Sequence, residues 1–164
     1  MRLAVLLACV LVAPACTLRP LYAGGSAGAV AQTLETVEVA PISGRAGWLV
    51  RSALQDRLGR GGGAARYRLE IELDDDITGY GIRADNSVTR ERRSLRARYR
   101  LVETGRGTVV LDATAGSDAG IDVVGSEYAT VAAEQTALER LSTELADQIV
   151  ARVALFAARG GAPQ

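Results

Sequence analysis

Polar and apolar residues alternate at every step along residues 66–73 (Arg-Tyr-Arg-Leu-Glu-Ile-Glu-Leu), with Tyr67, Leu69, Ile71 and Leu73 on one side. A period of two is that of a strand with one face buried and one face in solvent. Residues 33–39 carry a shorter version of the pattern and stop at Pro41, which predicts a first strand. Between them Val50, Leu54 and Leu58 recur every four residues, with Arg51, Gln55 and Asp56 off the stripe, so residues 46–58 read as an amphipathic helix ending at Gly59. Residues 88–102 give a longer strand with Leu95, Ala97, Tyr99 and Leu101 inward. The turn 103–107 (Glu-Thr-Gly-Arg-Gly) then returns the chain as a fourth strand over 108–113. A glycine-rich loop, 115–125, leads to Ser126, a helix N-cap residue. After it Val131, Leu138, Leu141, Leu145, Ile149, Val153 and Phe156 mark one long helix that ends before Gly160, Gly161 and Pro163.

The order β-α-β-β-β-α predicts an α+β fold: one open, mostly antiparallel four-stranded sheet with two helices on one face. The predicted domain runs over residues 33–158, followed by a disordered tail, 159–164.

The N-terminus follows a different pattern. Arg2 precedes an unbroken apolar run, residues 3–12. Ten residues are too few for a bilayer core, which needs about 20, so the run reads as a signal peptide, residues 1–15. Ala13, Pro14 and Ala15 are a small-residue cleavage site directly before Cys16. Simple cleavage would release a free protein, whereas a lipobox would acylate Cys16. The chain has two cysteines, and Cys9 leaves with the signal, so Cys16 is the lone thiol of the processed chain. A lone thiol in an oxidising compartment is a liability that acylation removes, and this favours a lipid on Cys16. Thr17 after it, in place of Asp, favours the outer membrane, periplasmic face. Residues 16–32 are small and glycine-rich, as a tether between lipid and domain requires.

Composition narrows the chemistry. Nineteen basic residues, all arginine, balance nineteen acidic ones, so no global field argues for nucleic acid. There is no histidine, which removes the commonest general base, metal ligand and pH switch. Gly24-Gly25-Ser26-Ala27-Gly28 has the letters of a nucleophile elbow, but it lies in the tether and has no histidine to serve it. Asp74-x-Asp76-x-Thr78-Gly79, with Asp85 in the closing position, has the outline of a calcium loop; without flanking helices it reads as a solvated acidic turn that ends the second strand. Neither a catalytic residue nor a metal ligand is expected, and no cofactor beyond the covalent lipid on Cys16.

The densest chemistry is in residues 90–100, which hold six arginines: Arg90, Arg92, Arg93, Arg96, Arg98 and Arg100. On a strand Arg96, Arg98 and Arg100 share the face opposite Leu95, Ala97 and Tyr99, and Arg90 and Arg92 extend it. Like charges about 7 Å apart repel. Two partners would relieve that: phosphates bound by the guanidinium groups, or carboxylates of Glu70, Glu72 and Asp112 on neighbouring strands. Both readings stand open.

With signal, tether, element order and basic strand in place, the chain resembles the LptE lipopolysaccharide-assembly lipoprotein family in its alphaproteobacterial form. The resemblance rests on the run Cys16-Thr17-Leu18-Arg19-Pro20-Leu21-Tyr22 and on the helix from Tyr128-Ala129 to Ile149, including Ala133-Glu134 and Leu145-Ala146-Asp147-Gln148-Ile149. It implies a non-enzymatic lipoprotein that seats in an LptD-like outer-membrane β-barrel, assists lipopolysaccharide transport, and contacts lipopolysaccharide. The six arginines are the candidate contacts. The alternatives are an auxiliary lipoprotein of a Mce/Pqi-type phospholipid transporter, or a structural envelope lipoprotein.

Overall fold

Three strands of fifteen or sixteen residues form the body of the computed structural model, which describes residues 28–59, 64–82 and 88–160. In chain order the elements are α1 (Ala29–Glu35), β1 (Val37–Val39), α2 (Gly44–Leu58), β2 (Tyr67–Ile82), β3 (Val88–Glu103), β4 (Thr108–Asp122) and α3 (Glu127–Ala158). The sheet order is β1-β2-β3-β4; β1 runs parallel to β2, and the other two pairings are antiparallel. This is the open four-stranded α+β arrangement expected, with one further short helix.

A strand of sixteen residues is about 50 Å long at 3.3 Å per residue, and the 32 residues of α3 span about 48 Å at 1.5 Å each. One helix therefore runs the length of the sheet. Leu138, Leu141, Leu145, Ile149, Val153 and Phe156 of α3 are all buried, as the stripe predicted, over Tyr67, Leu69, Leu95, Tyr99, Leu101 and Leu111 of the sheet. Val50, Leu54 and Leu58 of α2 complete the same core. Ala97, Ala113 and Ala115 keep the centre of the sheet low beneath the helices. Tyr67 and Phe156 meet edge to face, with centroids 5.8 Å apart, and close the end of the core nearest β1.

Several local expectations are corrected. Residues 29–35, read as the end of a tether and the start of a strand, form α1; the strand proper is only Val37–Val39. Gly28 caps the helix, and over its two turns Val30 and Leu34, four residues apart, meet the core on one face, which is helical spacing where alternation suggests a strand. The acidic run Asp74–Asp76 does not end β2, which continues to Ile82, because arginines of β3 supply opposite charge across the ladder. The glycine-rich stretch after Ala113 is strand, not loop, as far as Asp122. Val131, assigned to the buried stripe, is 54% exposed, because the first turns of α3 direct Thr130 and Ala137 inward in its place. The hairpin turn at 103–107 forms as expected, with Gly107 at a φ of 66°.

Cys16, the signal, most of the nucleophile-elbow motif, Asp85 and the last four residues lie outside the described residues. Among the described residues no helix is long and apolar enough to cross a membrane, and no three carboxylate or thiol side chains converge as a metal site.

Candidate functional site

The helices cover one face of the sheet and leave the other open. Strand alternation sends the odd-numbered residues of β3 toward the helices and the even-numbered ones, Arg90, Arg92, Ser94, Arg96, Arg98 and Arg100, onto the open face. Five of the six candidate arginines thus stand in one row along the central strand. Arg93 is on the other face. Its guanidinium binds Asp75 through two hydrogen bonds, 2.8 and 2.6 Å, and donates a third to the backbone oxygen of Glu134 on α3 at 2.9 Å. It holds the helix to the sheet.

The register decides what the row faces. Glu70 lies opposite Arg100, Glu72 opposite Arg98 and Asp74 opposite Arg96 on β2, and Asp112 and Asp122 lie opposite Arg100 and Arg90 on β4. A central row of arginine is therefore flanked on both sides by rows of carboxylate. Arg98 donates to both oxygens of Asp112, at 3.2 and 2.9 Å. Arg96 reaches past Gly116 to both oxygens of Asp118, at 3.0 and 2.8 Å, and donates to the carbonyl of Ser117. Arg100 stands 3.6 Å from Glu70 and 3.5 Å from Glu72, and Arg90 stands 3.2 Å from Asp122. The carboxylate pairing left open by the sequence is realised for Arg90, Arg96, Arg98 and Arg100. Arg98 holds the Asp112 carboxyl below the ordinary aspartate range. Asp118 is lowered first by the hydroxyl of Ser94 and then by Arg96. The face carries alternating stripes of charge.

Arg92 differs from its row. Its cross-strand neighbours are Thr78 and Gly120, neither of them acidic, and it makes no ion pair with a described residue, although Asp118 lies within its field. Sequence reasoning missed three partners: Asp75, Asp118 and Asp122. Their signal was present, since Asp112, Asp118 and Asp122 share the parity of one strand face, but it required residues 115–122 to be strand.

Glycine makes that strand possible. A Cβ on Gly116 would stand 2.5 Å from Cδ of Arg96, so any larger residue would push the arginine away from Asp118. Among the described residues β4 has no strand on its outer edge, and there the Gln148 side chain of α3 satisfies Gly116: its amide donates to the Gly116 carbonyl at 3.2 Å and accepts from the Gly116 N–H at 3.3 Å. Ser117 also donates to Glu144 of α3.

A polar, striped sheet face backed by one long helix is an architecture that can be compared. The profile of the LptE lipopolysaccharide-assembly family matches residues 34–153. The chain belongs to the LptE family. A candidate lipoprotein of Caulobacter crescentus has the same fold with a TM-score of 0.68 at 28% identity, over 80% of this chain and 98% of that one. Rare lipoprotein B of Shewanella oneidensis gives 0.58 at 12% identity over 75% and 95% of the two chains. Lipoprotein B of Nitrosomonas europaea gives 0.59 at 15% over 76% and 84%. In a search of curated proteins no sequence matches it. As an LptE-family member the chain is a lipopolysaccharide-assembly lipoprotein of the bacterial envelope.

Proposed function

We propose that this LptE-family protein is anchored by a lipid on Cys16 to the periplasmic face of the outer membrane, where it seats against an LptD-like β-barrel and assists lipopolysaccharide to the cell surface without catalysing a reaction. The family match over residues 34–153 carries the reading. The open face supports it physically: a barrel lumen is polar, and a sheet whose exposed side chains are paired charges brings hydrogen-bonding groups to such a wall with little apolar surface to hide. Arginine on that face also suits phosphorylated lipid.

Purification of the tagged full-length protein from detergent-solubilised envelopes tests the partnership. Recovery of the lipopolysaccharide barrel supports it. Recovery of phospholipid-transporter subunits in its place overturns it. Cys16→Ser should leave the protein unacylated and release it from the membrane fraction; retention in that fraction removes the lipid anchor.

A further inference from the structure

The direction of the backbone groups along β2 shows which part of its outer edge is open. The Tyr67 N–H donates to the Thr36 carbonyl at 3.2 Å and the Leu69 carbonyl accepts from the Ala40 N–H at 3.0 Å, so odd-numbered residues of β2 turn their backbone groups toward β1 and even-numbered ones toward β3. Pairing with β1 stops at Leu69, while β2 runs on to Ile82. The N–H and C=O groups of Ile71, Leu73, Asp75, Ile77 and Gly79 therefore face outward over about 30 Å, at 3.3 Å per residue. No strand or backbone group of the described residues pairs with them. The outer edges of β1 and β4 each carry a side-chain cap: Arg51 donates to the Val39 carbonyl at 3.4 Å, and Gln148 takes both backbone groups of Gly116. We infer that the outer edge of β2 beyond β1 receives an extended, basic segment of a partner protein as a fifth strand of the sheet. This docking site is independent of the lipopolysaccharide reading above.

A free row of donors and acceptors takes up any extended chain, and the side chains beside it choose which one. Every residue from Asp74 to Tyr80 is exposed, whichever side of the sheet it takes, so neither long helix covers this stretch. Asp74 and Asp76 stand on the open side, and neither forms an ion pair with a described residue: Arg96, opposite Asp74, is held by Asp118, and Asp76 accepts from the Thr78 hydroxyl. On the helix side Leu73 packs against the core and Ile77 is 40% exposed. The segment that fits therefore alternates, with arginine or lysine beside Asp74 and Asp76 and apolar residues beside Leu73 and Ile77, as cross-strand pairing favours. The same charges disfavour a second copy of this chain, because two such edges meeting antiparallel about Asp75 would set aspartate against aspartate. Carboxylates blunt the edge toward acidic strands and leave it open to basic ones.

Full-length protein in detergent, titrated with a synthetic heptapeptide of alternating arginine and valine, tests the edge, with a glutamate–valine heptapeptide as counterpart. Amide hydrogen exchange followed by NMR reads the site. The amides of Leu73, Asp75 and Ile77 face outward and should gain protection with the basic peptide and not with the acidic one, while those of Glu72, Asp74 and Asp76, already bonded to β3, stay protected throughout. Ile77→Pro removes an outward donor without breaking a bond to β3 and should weaken the basic peptide about tenfold. Asp74→Lys with Asp76→Lys keeps every backbone group and should exchange the preference, taking the acidic peptide and losing the basic one; this pair decides the matter if the proline variant does not fold. Binding of the basic peptide without protection of the three outward amides would place it on carboxylates elsewhere on the sheet and overturn the fifth strand. No binding, equal binding of both peptides, or an unchanged preference in the lysine pair overturns it as well.

Discussion

Arg93 and Asp75 are joined by two hydrogen bonds across the β2–β3 ladder, on the face where the pattern of the strands calls for apolar residues. The Arg93 side chain is only 12% exposed, and its third bond runs to the Glu134 carbonyl on α3. The clasp therefore interrupts the apolar core on the β2 side of the sheet, while Ala119 and Ile121 of β4 carry that core further toward the same end.

Removing one half of the clasp leaves the other half-buried and unpaired. Arg93→Met should cost about 2 kcal/mol, the scale of lost hydrogen bonds to a charged group. The double variant Arg93→Met/Asp75→Leu should cost less than the two single changes added together, since it leaves no orphan charge. A double-mutant cycle by urea denaturation measures this. Strict additivity would show that the two side chains do not act on one another.

At the opposite end stability rests on hydrocarbon. Phe156 is buried against the edge of Tyr67, and Arg66 lies over the Tyr67 ring with its guanidinium carbon 5.1 Å from the centroid. Phe156→Ala should cost about 3–5 kcal/mol and Leu145→Ala about 2–5. Val131→Ala, on the same helix but exposed, should stay within about 0.5 kcal/mol. Thermal or denaturant unfolding followed by circular dichroism gives the ranking, and an equal loss at Val131 would contradict the core drawn here.

These contrasts explain how much could be read from the chain. The alternation 67, 69, 71 and the four-residue steps of α2 and α3 report burial directly, because each stripe faces one continuous apolar surface. The identity of the open face was legible as well, since parity alone places Arg96 opposite in direction to Leu95. Its electrostatics were not. One strand read in isolation shows six like charges, while the carboxylates that answer them come from positions 70, 72, 75, 112, 118 and 122, and only the register brings them alongside. The stretch 115–122 misled for a related reason: glycine there serves neighbouring side chains, making room for Arg96 at 116 and for Tyr80 at 120. Local composition cannot signal that.

The same pairs set an acid response. Asp112 and Asp118 are both held below the ordinary aspartate range, so each favours the folded state above about pH 3.9 and loses that contribution as pH falls through its lower folded value. Carboxyl carbon shifts followed through an acid titration should show both titrating low. Arg98→Gln should return Asp112 toward the ordinary range. For Asp118, Ser94→Ala and Arg96→Gln should each move the titration up toward the ordinary range, because the hydroxyl and the guanidinium both hold its carboxylate. A titration unmoved by Ser94→Ala would remove the hydroxyl from the control of Asp118.

Glu91 behaves in the opposite sense. It lies on the helix side of β3, two residues from Arg93, with Gly79 and Ile121 beside it on the neighbouring strands and Glu134 facing it from α3. Its Oε2 is closed off from solvent and takes no hydrogen bond from a described residue. Burial first, and then the Glu134 charge, raise its pKa above the ordinary glutamate value. A raised carboxyl binds its proton more tightly in the folded chain than in the unfolded one. Its penalty is therefore absent below about pH 4.3, grows as pH rises from there to the folded value, and is constant above it. Glu91→Gln removes the ionisation and adds an N–H that can donate to Glu134. The variant should be more stable than the native chain at pH 7 by roughly 0.5 kcal/mol, the scale of a partly exposed like-charge contact, and equal to it near pH 4. Urea midpoints at the two pH values measure the difference. A variant less stable at pH 7 would mean that the Glu91 carboxylate is stabilised by its surroundings, and that Arg93, not Glu134, dominates the field at this position.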